Sequence, residues 1–286
     1  MNEQTPQAAA GEVANRWLGA LGAWTSGQVR ELLAMVGGMA LLLGSTGYWV
    51  LRGLWQPSVR PGAGSLAFQM VRVGVRAIGI VVLVQAAIGI ILPLQMYPKL
   101  DQFGQGDQVA TINAIAAVRE LGPLMTAIVL SGFAGASIAA ELGTMVTAEE
   151  IEALKSMALN PVRFLVVPRL IATVVMTVLL SIVAVVVMIL GGWLTSLRLG
   201  IDPDVYYRMT VEAVNLTGFV TGVVKAAVFG LLVGLIGCHL GMSVRPWEGS
   251  AGVGRATTQT VVFSIVAIIG ADAIFTVIFY AHGLFS

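Results

Sequence analysis

Five ionisable residues stand inside stretches that are otherwise apolar: Arg119, Glu120, Glu141, Lys225 and Asp272. A charge within a bilayer is costly, so such groups face a cavity or one another. Arg119 and Glu120 are neighbours in sequence and leave a helix in different directions, which excludes a simple face-to-face pair. Gly122 and Pro123 follow at once, and proline lacks the N–H that a continuous helix needs. A kinked helix carrying a charged pair reads as the wall of a water-accessible cavity. Lys225 has two readings: it meets an anionic head group, or it meets Glu120. For Glu141 and Asp272 a structural salt bridge within the bundle competes with a functional role.

The chemistry that is missing narrows the field. The three lysines are Lys99, Lys155 and Lys225, and none follows a glycine, so there is no Gly-x-x-x-x-Gly-Lys-Ser/Thr phosphate loop. Two histidines without a His-Glu-x-x-His pattern give no expectation of a metal site or of any cofactor bound directly. Cys238 and His239 are adjacent, which is poor geometry for a nucleophile and its base. No convergent acid, base and nucleophile set is visible, so the chain does not read as an enzyme. A net charge of +1 gives no electrostatic case for nucleic acid.

The elements that must position these residues follow from composition. The 286-residue chain is 57% hydrophobic and only 11% charged, with mean hydropathy +0.88. A soluble domain is about a quarter charged, so the solvent here is lipid. Spans of about 20 apolar residues are expected near 73–96, 107–143, 164–193, 217–240 and 259–280. The domain reading is a polar N-terminal segment over 1–28, an interfacial or embedded elbow helix over 29–60, and a membrane domain over 61–286. Within the elbow, 32–51 has no charge, but its glycines beside Tyr48 and Trp49 suit an interface as well as a span.

Lys and Arg set the orientation. With 144–163 in the cytoplasm, that side holds Arg16, Arg30, Arg52, Arg60, Arg72, Arg76, Lys155, Arg163, Arg169, Arg245 and Arg255. The other side holds Lys99, Arg198 and Arg208. The N-terminus is then cytoplasmic and the C-terminus lies on the far side of a multi-pass inner-membrane protein.

The loop so placed carries a short acidic helix, 147–159. Thr147 and Glu150 fit a capping box, Glu149, Glu150 and Glu152 suit the positive end of the helix dipole, and Ile151 and Leu154 begin an apolar stripe. Asn160-Pro161 is expected to stop it. One reading is a connector lying on the membrane surface. The other is a handle whose stripe enters a groove on a soluble partner. Upstream, Gly132, Ala136 and Ala140, and likewise Gly135, Ala139 and Gly143, form two ridges of small residues that let another helix approach closely.

Taken together, Arg119-Glu120-Leu121-Gly122-Pro123, Ala139-Ala140-Glu141-Leu142-Gly143-Thr144-Met145, Glu149 to Leu154, Asn160-Pro161 with Val167-Pro168-Arg169, and Gly252-Val253-Gly254-Arg255-Ala256-Thr257-Thr258 resemble the MlaE/YrbE permease family over residues 70–280. That family supplies the membrane subunit of MCE-associated ABC transporters of lipids. The resemblance implies an all-α membrane protein of five transmembrane helices plus an N-terminal elbow helix. It implies a second permease copy, a cytoplasmic ABC ATPase dimer that uses the ATP and docks on 147–159, a periplasmic MCE-domain protein, and in some systems a STAS-domain protein. The substrate it implies is phospholipid or a related lipid moved between inner and outer membranes, with Arg119, Glu120 and Lys225 lining the lipid cavity. Phe133 stands where the family usually has Arg, and Asn160 where it has Asp. A secondary transporter or channel for a small amphipathic solute is the alternative, but such proteins often show internal repeats, and none is evident.

Overall fold

The computed structural model describes residue 30 and residues 33–53, 55–56 and 62–283. These residues form helices and no strand. In chain order the helices are α1 (Leu33–Gly53), α2 (Ala63–Asp101), α3 (Gln108–Thr147), α4 (Glu150–Ser156), α5 (Val162–Leu199), α6 (Pro203–Ala213), α7 (Leu216–Met242) and α8 (Pro246–Ala281). All but α4 and α6 are long and apolar enough to cross a membrane. The expected all-α membrane fold is therefore present, with five long helices after residue 61 and an apolar helix before them. The polar segment expected at 1–28 lies outside the described residues, and the 29–60 elbow is described only in part, as α1.

By internal contacts the chain falls into two compact units, 1–45 and 46–286. What is described of the first is chiefly the opening of α1, with Leu33, Val36 and Leu41 exposed. Within the second, α5 packs along α2 and α7, and α7 along α3 and α8. Small residues make these approaches possible, as is usual where lipid offers no hydrophobic drive between helices. A Cβ on Gly191 of α5 would stand 3.1 Å from the Ala86 carbonyl of α2, and one on Gly241 of α7 would stand 2.9 Å from the Ala139 carbonyl of α3. Of the two small-residue ridges, Gly135–Ala139–Gly143 faces inward. Gly237 and Gly241 rest on the carbonyls of Gly135 and Ala139, and a Cβ on Gly143 would meet Val244 at 3.2 Å. On the other ridge Gly132 faces open space, while Ala136 and Ala140 are half-buried.

The long helices run past their apolar segments, and two of them are not regular. In α3 the turns Ala117–Leu121 and Ser131–Gly135 are wide, closed by i→i+5 bonds from Gly122 N–H to the Ala117 carbonyl and from Ala136 N–H to the Ser131 carbonyl. α5 opens on a third such turn, Val162–Val166. Two of the three precede a proline by two residues, Pro123 and Pro168. Proline cannot complete the normal ladder, and a wide turn absorbs the defect. At the first, buried Gln85 of α2 donates to the freed Leu121 carbonyl at 3.2 Å. The expected kink is thus a wide turn, and it falls on Arg119 and Glu120 themselves.

Candidate functional site

The wide turn at 117–121 aims Glu120 at α7 and α8. Lys225 of α7 is fully buried, and its Nζ lies 2.6 Å from Glu120 Oε2 and 2.9 Å from Asp272 Oδ1 of α8. It also donates to Thr276 Oγ1 at 3.1 Å, and the Thr276 hydroxyl donates to Glu120 Oε1 at 3.3 Å. The Asp272 contact is an ion pair without hydrogen-bond alignment. Two carboxylates thus converge on one ammonium. Lys225 sits this deep because Gly222, one turn earlier, lets α7 press against the Val118 carbonyl, where a Cβ would collide. Exposure is uneven: the Glu120 side chain is 33% exposed and that of Lys225 1%. Anything reaching this cluster from outside meets Glu120 first. Arg119 takes another direction, with Nε about where a Cβ on Gly218 would be, 3.0 Å away, near the start of α7.

At the opposite end of α3 lies the short acidic helix. It is α4, Glu150–Ser156, and not 147–159. Thr147 does not cap it. Thr147 ends α3, and its hydroxyl donates to the Thr144 carbonyl at 3.0 Å. The chain turns at Glu149, which adopts a left-handed conformation (φ 58°), and no side chain caps α4. The capping box is therefore absent, because α3 continues four residues past Gly143 and uses up the residue meant to open the next helix. Nor does Asn160-Pro161 stop α4. The helix ends at Ser156, Ala158 turns left-handed (φ 56°), and Asn160 Oδ1 instead accepts from Val162 N at the mouth of α5. Ile151 is 5% exposed and fastens α4 to its own bundle. Glu149, Glu150, Glu152 and Met157 face outward and Leu154 is half-buried, with Lys155 holding Glu152 at 2.7 Å.

A chain of long helices, with buried charge at one level of α3 and an acidic handle at its end, was then compared with known proteins. The family model for the MlaE permease matches residues 66–278. The chain belongs to the MlaE permease family. The intermembrane phospholipid transport system permease protein MlaE of Haemophilus influenzae is 32% identical over 244 residues, 84% of this chain and 93% of that one. A probable ABC transporter permease protein of Rickettsia typhi is 32% identical over 209 residues, 73% of this chain and 80% of the relative. The chloroplastic protein TRIGALACTOSYLDIACYLGLYCEROL 1 of Arabidopsis thaliana is 30% identical over 213 residues, 74% of this chain and 60% of its own length.

In this MlaE permease the remaining singled-out acid, Glu141, forms a second ion cluster near α4. Its Oε1 meets Arg72 Nη2 of α2 at 2.8 Å, its Oε2 meets Arg169 Nη2 of α5 at 3.2 Å, and Ser137 donates to it at 3.2 Å. Arg72, Arg169 and Thr276 are site members that the sequence reading passed over. Glu141 carried the available signal: an acid inside a span needs cations, and both arginines lie near the ends of spans. Asp272 joins Lys225 and does not stand as a separate group. Phe133, where the family usually has Arg, is 38% exposed.

Proposed function

We propose that this chain is the membrane permease subunit of an ABC transporter that moves phospholipid or a related lipid between the inner and outer membranes of a bacterium. A separate cytoplasmic ATPase dimer uses the ATP and docks on α4. A second permease copy completes the membrane core, a periplasmic MCE-domain protein receives or delivers the lipid, and a STAS-domain protein joins in systems that have one. The alternative of a secondary transporter has no observation in its favour.

The observation that carries this reading is the continuity of α3. One helix bears Glu120 at the charged cluster and runs directly into the turn that holds α4. A force on α4 therefore acts on the rod that carries the cluster. Ile151 ties α4 to the bundle, which leaves Glu149, Glu150, Glu152 and Leu154 for the partner, with Thr147 at the joint. Arg119, Glu120 and Lys225 line the lipid path, with Glu120 as the exposed member and Lys225 as the buried cation that fixes it. Asp272 and Glu141 hold helices together.

The test is purification of the tagged chain from native membranes in mild detergent, with mass spectrometry of everything retained. Wild type should bring a P-loop ATPase, an MCE-domain protein and phospholipid. The charge-reversed Glu149→Lys/Glu150→Lys chain should lose the ATPase, and its stimulated ATP hydrolysis, while its helical circular dichroism stays unchanged. Recovery of the chain alone, or full ATPase stimulation in the variant, would sink the proposal.

A further inference from the structure

Beside Glu141 opens a cleft of about 450 Å³, lined by Arg72 of α2, Ala140, Glu141, Thr144 and Met145 of α3, and Arg169 of α5. Two guanidiniums face one carboxylate there, so the cleft carries a surplus positive charge. The carboxylate is already saturated by Arg72, Arg169 and Ser137. The guanidiniums are not. Arg169 is 7% exposed. Its Nη1 donates to the Leu165 carbonyl at 2.8 Å and its Nη2 to Glu141, but its buried Nε has no partner. Arg72, 36% exposed at the rim, presents its remaining donors outward. A guanidinium fork matches the oxygens of a phosphate.

The position of the cleft indicates where that phosphate comes from. Glu141 follows Glu120 on α3 by twenty-one residues, a rise of roughly 30 Å, which is about the thickness of the hydrocarbon core of a bilayer. The Glu141 cleft thus stands at the level of the polar head groups, on the α4 side, when the Glu120 cluster is near the other face. Basic pockets between transmembrane helices at that level take anionic head groups. We infer that this cleft binds the phosphate of an anionic phospholipid from the leaflet next to α4. The site is separate from the Glu120–Lys225–Asp272 cluster and independent of the transport reading. A bound head group joins α2, α3 and α5 at the point where α3 passes into α4, so the seating of the handle depends on the lipid around it.

The full chain in nanodiscs tests this. Thermal unfolding is followed in phosphatidylcholine alone, in phosphatidylcholine with phosphatidylglycerol, and in phosphatidylcholine with inorganic phosphate in solution. Native mass spectrometry then counts the phosphatidylglycerol retained after release into detergent. Wild type and Arg245→Gln, which removes an exposed arginine outside the cleft, should gain thermal stability from phosphatidylglycerol and retain it. Arg72→Gln should lose most of the gain and retain several-fold less lipid. Should Arg72→Gln fail to fold, Arg72→Lys keeps the charge beside Glu141 but loses the fork, and it too should retain less. An equal response in wild type and the Arg72 variants overturns the site. Inorganic phosphate stabilising as well as phosphatidylglycerol would leave an anion site and overturn its assignment to lipid.

Discussion

Replacing Lys225 with methionine keeps the length and volume of the side chain and removes the ammonium. Glu120, Asp272 and Thr276 then surround a site that offers them no cation, at former distances of 2.6, 2.9 and 3.1 Å from Nζ. Removing one partner of a buried ion pair costs about 3–5 kcal/mol, chiefly because the charge left behind has no compensation. The Lys225 side chain is 1% exposed, so water offers little relief, while 33% exposure at Glu120 moderates the loss to the lower part of that range. Neutralising the acids as well, in Lys225→Met/Glu120→Gln/Asp272→Asn, should restore most of it, since the cost arises from isolated charge and not from lost packing. The assay is equilibrium unfolding in mixed micelles followed by tryptophan fluorescence. A loss in Lys225→Met below about 1 kcal/mol, the value of an exposed pair, would refute the reasoning. So would a triple variant as unstable as the single one.

Gly222→Ala should cost about 1–3 kcal/mol, because its Cβ would run into the Val118 backbone carbonyl, which has no rotamer by which to withdraw. Gly254→Ala, whose Cβ meets open space within α8, should cost nothing in the same unfolding assay. At α6, burial pushes the Tyr206 phenol above its ordinary value, and Asn113 donates to its oxygen at 3.1 Å. The folded chain then keeps a proton that the unfolded chain releases, so this stability is full below pH of about 10 and is lost as pH rises through the folded value. Tyr206→Phe should make the alkaline fall of the unfolding midpoint shallower, and an unchanged slope would count against a protonated, buried phenol.

The spans were legible because lipid leaves little choice: a run of apolar residues with no charge forms a helix whatever surrounds it. The five costly charges were legible for the same reason. Their pairing was not. Lys225 was open between a head group and Glu120, and Asp272 entered with no stated partner. Which side chains meet depends on the phase of each helix, and the wide turn at 117–121 resets the phase of α3 at Glu120 itself. Pro123 hinted at a defect there but not at its form. The handle was read with the right acids and the wrong start. Thr147 followed by Glu150 satisfies a capping pattern, yet a left-handed glutamate at 149 has no signature, since that conformation normally asks for glycine. Asn160 was read as a stop to the helix before it and serves the helix after it, as its side-chain oxygen allows in either direction.

The pairing of Glu120 with Lys225 and Asp272 also bears on how the chain is made. α3 is less apolar than α5 and carries Arg119, Glu120 and Glu141, and each charge near the centre of a helix opposes its transfer from the translocon by about 2.5–3.5 kcal/mol. Lys225 is synthesised 105 residues after Glu120, and Thr276 156 residues after it. At ribosomal speed that leaves α3 without its cation for roughly 5 to 20 s. During that interval α3 must stay beside the translocon or in the shelter of a chaperone, and it enters lipid together with α7. Insertion of this membrane domain is then a joint event of helices distant in sequence, and a chain truncated before α7 strands its third helix.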